Sequence, residues 1–107
     1  MSKPLKVQII EEARALITDE RHWCRRQMAF DPDGGAVCAT DTRAYKLCAY
    51  GALIAAAHHK TNDCDRAHDL TANAVSCFGG SGALIGVNDM KGHTAVLALF
   101  DEAIAVM

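Results

Sequence analysis

A chain of 107 residues has room for one domain with one hydrophobic core. Half of the residues are hydrophobic and 22% are charged, the balance of a globular protein rather than a disordered one. A net charge of -2 and a pI near 6.2 supply no basic stripe, so no nucleic-acid partner is expected. The local run of Arg21, His22, Arg25 and Arg26 reads as a solvated face.

Cys24, Cys38, Cys48, Cys64 and Cys77 make an odd set of five with no CxxC pair. That spacing argues against a zinc ribbon or a thioredoxin-type redox site. The opening MSKPLKVQIIEEARALI has acids where a secretory signal needs an unbroken apolar stretch. The expectation is a cytoplasmic protein whose cysteines are reduced thiols, several of them buried as small hydrophobes.

In chain order, Ser2 is placed to cap a first helix with Lys3 and Pro4 in its opening turn. Leu5, Ile9, Ala13 and Leu16, widened by Ile10 and Ile17, form an apolar stripe opposite Glu11, Glu12 and Arg14. This predicts an amphipathic helix ending near Thr18 or Asp19. From Arg21 to Thr40 helical spacing is lost. Asp31-Pro32-Asp33-Gly34-Gly35 is a strong turn signal, because proline presets one dihedral and glycine accepts positive φ. Flanked by QMAF and AVCAT, it predicts a short β-hairpin lying on the helices, with Trp23 as its anchor.

Asp41 and Thr42 then read as caps of a central helix over Ala44 to His59, AYKLCAYGALIAAAHH. It is apolar on nearly every side, which requires cover all round, yet it is too short to span a membrane. One face carries Leu47, Tyr50, Ile54 and His58, and a second carries only small side chains: Cys48, Gly51, Ala52, Ala55 and Ala56. Glycine within a helix costs about 1 kcal/mol against alanine. Its presence predicts that another backbone comes close to Gly51.

HHKTNDCD is a polar break, with Asn62, Asp63 or Asp65 available to cap a third helix along Ala67, Leu70, Ala74, Cys77 and Phe78. Gly79-Gly80 supplies its stop. ALIGV is a short apolar run that fits either a strand or a buried connector. Asn88-Asp89 reads as the cap of a last helix, with His93, Val96, Leu97, Phe100, Ile104 and Met107 on one face. The expected fold is mainly α (α+β): one domain over residues 1–107, a compact bundle of about four helices with one short β-hairpin.

Three constellations bear on chemistry. Cys48, Asn88 or Asp89, and His93 have the residue types of a thiol hydrolase: nucleophile, orienting group and base. Against this, Cys48 is expected well inside an apolar helix, where burial leaves a thiol inert. The structural alternative is a packed thiol, a helix cap and a core histidine bonded to a backbone carbonyl. Second, His58, His59, Asp63, Cys64, Asp65, His68 and Asp69 are metal-ligand types at high density. His58, His59, Cys64 and His68 are the candidate ligands, but a zinc site needs a matching pair elsewhere and none is visible. No cofactor is expected. Third, Gly79 to Gly82 lacks the strand-to-helix context of a phosphate loop.

Trp23 followed by an acid-glycine turn, Leu47-Cys48-Ala49-Tyr50-Gly51-Ala52-Leu53, and Asn88-Asp89 with His93 and VLALFDEAI form a pattern. It resembles an uncharacterised family of small bacterial and phage-borne proteins, a domain of unknown function. The resemblance implies no substrate. It does imply that Trp23, Cys48, Gly51, Asn88, Asp89 and His93 belong to one recurrent arrangement.

The leading functional expectation is a cytosolic, non-enzymatic interaction or regulatory module with a protein partner or self-association, a homodimer being one such form, with Trp23 and Gly51 as candidate binding residues. No membrane partner is expected. The alternative is a small hydrolase using a Cys48/His93 thiol site or a metal held by the His58 to Asp69 segment.

Overall fold

The computed structural model describes residues 3–106. The expected cap at Ser2 and the expected burial of Met107 lie outside the described residues. Among the described residues there are five α-helices rather than four: α1 (Leu5–Leu16), α2 (Ala49–Thr61), α3 (Cys64–Ser76), α4 (Ser81–Met90) and α5 (His93–Ala105). A 3-10 turn at Glu20–His22 follows α1, and three two-residue strands, β1 (Ala29–Phe30), β2 (Ala36–Val37) and β3 (Lys46–Leu47), precede α2.

The hairpin forms where the turn chemistry places it. β1 pairs antiparallel with β2, Ala29 opposite Val37. Asp31 closes the loop, its Oδ1 accepting from the N–H groups of Asp33 and Gly35. The sheet has a third strand. β3 pairs antiparallel with the other edge of β1, giving the order β2-β1-β3.

That strand comes from the expected central helix, which starts five residues later than the pattern predicts, at Ala49 instead of Ala44. The reason is non-local. Tyr45 N–H donates to Phe30 O, Cys48 N–H donates to Met28 O, and Cys24 N–H donates to Leu47 O. Extended backbone at 45–48 satisfies groups on two other segments, which a helix there would leave unpaired. Asp41 consequently caps no helix; its carboxylate accepts from Arg43 N–H in a local turn. Nor does ALIGV form a strand. It lies inside α4, starting directly from the Gly79-Gly80 turn, where both glycines have positive φ.

Asn88 and Asp89 likewise do not cap the last helix. They sit in the closing turns of α4, and Gly92, at a φ of 100°, precedes α5. At α3 one of the three expected caps is used: Asp63 accepts from Asp65 N–H and Arg66 N–H.

α2 is the buried centre. Ala49, Ala52, Leu53, Ala56 and Ala57 are fully enclosed, with α1, α3 and α4 packed against them. α1 contributes Ile9, Ile10 and Ala13, the residue after it adds Ile17, and α5 contributes Val96 and Phe100. The Phe100 ring meets Phe78 edge to face at 5.1 Å between centroids. Cys77, expected on the inner face of α3, is exposed. No single helix among the described residues is long and apolar enough to cross a membrane.

Candidate functional site

The segments brought together by the late start of α2 meet at one side chain. Asn88 is 1% exposed and uses its whole amide. Its Oδ1 accepts from Trp23 Nε1–H at 2.7 Å and from Ala49 N–H at 2.9 Å. Its Nδ2 donates to Cys24 O at 3.1 Å and to Asp89 Oδ1 at 3.0 Å. One residue of α4 thereby holds the loop after the 3-10 turn and the first turn of α2. A buried amide is suited to this because it carries donor and acceptor together.

Asp89 extends the network. Its Oδ1 also accepts from Arg26 N–H at 3.0 Å, securing a residue with a φ of 71°. Arg25 lies over the Trp23 ring at 5.2 Å from its centroid. The close backbone approach expected at Gly51 is made by Met28: a Cβ on Gly51 would overlap Met28 O.

Cys48 is the N-cap of α2 rather than a residue well inside it. Its Sγ accepts from Gly51 N–H at 3.2 Å. Helix amides at a sulfur favour the thiolate, but burial outweighs them and pushes the Cys48 thiol above its usual range. Burial, reinforced by neighbouring Cys48, pushes the Cys24 thiol up to about 12. His93 opens α5 and engages other groups. Its Nε2 lies 2.6 Å from Ile17 O, and a carbonyl only accepts, so Nε2 carries the proton. The His93 ring also packs on Trp23 at 5.4 Å between centroids.

Cys48, Asn88 and Asp89 line a cleft of about 200 Å³ together with Arg26, Gln27, Met28, Tyr50 and Ile85. His93 is not part of its wall. Five of the six residues singled out by the sequence, Trp23, Cys48, Gly51, Asn88 and Asp89, thus assemble at the start of α2, and His93 joins them through Trp23.

The chain belongs to a family of unknown function (DUF6197). The family model matches residues 1–106, so it covers the whole arrangement. No curated protein and no solved structure matches this DUF6197 chain.

The His/Asp-rich segment divides. His59 turns to α1, its Nδ1 3.1 Å from a Glu12 carboxylate oxygen. His58, Cys64 and His68 instead line a second cleft of about 200 Å³ with Thr40, Tyr50 and Ile54. Cys64 Sγ lies 3.7 Å from His58 Nε2. Among the described residues no three His, Cys, Asp or Glu side chains converge as a metal-binding group. The sequence singles out His58 and Cys64 only as candidate metal ligands and does not pair them, because their spacing crosses a helix boundary. The pair forms only because Asn62 adopts a left-handed conformation, with a φ of 51°, and turns α3 back beside α2.

Proposed function

We propose that this protein is a cytosolic, non-enzymatic interaction module, and that a partner seats on the cleft between the Arg26–Met28 loop, the start of α2 and α4. A second copy of the chain is the simplest occupant. One observation carries the reading: a hydrogen-bonded set of buried groups lies under a cleft whose exposed lining pairs the apolar Met28 and Ile85 with the polar Arg26 and Gln27. Met28 and Ile85, at 44% and 40% exposure, line it with Tyr50. Large apolar side chains around a rigid concavity favour burial against another surface. Self-association also relieves the limited burial open to so short a chain. All five cysteines are free thiols, in keeping with a reducing compartment.

Native mass spectrometry and sedimentation of the reduced protein, wild type beside Ile85→Glu, test this. The expected result is a wild-type dimer that dissociates in Ile85→Glu with little change in melting temperature. A wild type that stays monomeric at high micromolar concentration overturns self-association. A stoichiometric metal adduct would instead favour the His58 to Asp69 segment as a metal-dependent site.

The thiol-hydrolase reading draws support from Cys48 at a helix N-terminus facing a cleft. It is the weaker reading because the thiol's burial favours its neutral form and His93 Nε2 is committed to Ile17 O. Ester or thioester turnover that is lost in Cys48→Ser would reverse this order.

A further inference from the structure

The second cleft holds chemistry that the first lacks. Cys38, Cys64 and Cys77 are the exposed cysteines, and of these only Cys64 has an imidazole within hydrogen-bond reach among the described residues. The pair is held by two elements rather than by one loose loop. His58 projects from the last turns of α2, and Cys64 is the first residue of α3, whose start is secured by the Asp63 cap. Beside the sulfur lies a cleft of about 200 Å³ whose lining includes the apolar Tyr50, Ile54 and Ala67 and the polar Thr40, His68 and Thr71. A thiol needs a base to remove its proton, access for the incoming molecule and space for the group it acquires.

We propose that Cys64, with His58 as its base, is a reactive thiol that exchanges with low-molecular-weight disulfides, and that the cleft receives the group left on the protein. In the reaction, Cys64 Sγ attacks one sulfur of the disulfide as its proton passes to His58 Nε2. A protein–sulfur bond forms, the original S–S bond breaks, and the departing thiolate takes the proton from His58 and leaves as a free thiol. One disulfide replaces another, so no outside oxidant or reductant is required. The other four cysteines provide internal comparison: Cys38 and Cys77 are exposed without an imidazole partner, and Cys24 and Cys48 are buried.

The test uses the full reduced chain, with glutathione disulfide and, separately, iodoacetamide as probes at neutral pH. Trypsin places each of the five cysteines in its own peptide, so site-by-site rates follow from mass spectrometry. Cys64 is expected to react on the order of tenfold faster than Cys38 and Cys77 with both probes. His58→Gln is expected to bring it to their level. Equal rates for the three exposed thiols in the wild type overturn the proposal. So does a Cys64 advantage that survives in folded His58→Gln, because exposure alone would then explain it. Should His58→Gln fail to fold, the wild-type comparison still decides.

Discussion

Gly51 and Asn88 show how single residues hold the cleft together. In an ordinary helix, glycine to alanine gains about 1 kcal/mol. At Gly51 the added methyl would collide with Met28 O, a backbone atom that also accepts the Cys48 N–H bond. The sign therefore reverses: Gly51→Ala is expected to lose about 2 kcal/mol, read as a lower midpoint in urea unfolding. Asn88→Ala is expected to lose about 3 kcal/mol by the same measurement, because the Trp23 indole N–H and the Ala49 N–H lose their acceptor in a buried place. A change below about 0.5 kcal/mol in either variant would mean that the start of α2 relaxes around the substitution. Both positions stand out in the sequence, Gly51 as a glycine within an apolar helix and Asn88 as a polar pair with Asp89. The role of Asn88 was not legible. An Asn-Asp pair ahead of a glycine and an apolar run has the pattern of a cap, and only the four bonded partners reveal a buried bracket.

Between elements, the tie most open to titration joins α1 to α5. Arg14 Nε donates to Asp101 Oδ1 at 2.6 Å, and Arg14 Nη2 donates to Asp101 Oδ2 at 3.1 Å. The guanidinium's hydrogen bonds hold the Asp101 carboxyl below its ordinary value. A carboxylate with a depressed folded pKa contributes stability that is present above its unfolded value and is lost as pH falls through the folded one. Stability of the wild type is therefore expected to drop on acidification below the usual carboxylate range. Asp101→Asn should lose part of that acid slope and be less stable near neutrality by the same amount, a small one since the pair faces solvent. Urea midpoints collected across acid pH in both proteins check this; identical slopes would assign the acid sensitivity elsewhere. α1 and α5 themselves were readable as elements, because their apolar positions recur at helical spacing. The shortened α2 was not, because its first residues are as apolar as the rest and yield to pairing with β1.

For the molecule as a whole, a small α2-centred core and a cleft edged by exposed Met28 and Ile85 point the same way. If the cleft closes on a second copy, folding and association are linked, and the melting temperature must rise with protein concentration. Scanning calorimetry over a wide concentration range is expected to show that rise in the wild type and to lose it in Ile85→Glu. A melting temperature independent of concentration in the wild type would remove a stabilising dimer.

Local physics sufficed for much of this protein. Periodicity set the helical class and the Asp31–Gly35 turn set the β1–β2 hairpin, because each depends on neighbours a few residues apart; Gly51 marked a close backbone approach by its cost within a helix, although the approaching segment, at Met28, is distant in the chain. Tertiary structure alone decided where α2 begins, that ALIGV is helical, that Cys48 is an N-cap rather than an interior thiol, and that Cys64 faces His58. Each of those depends on a hydrogen bond or packing contact whose partner lies outside the local pattern, so spacing along the chain could not reveal it.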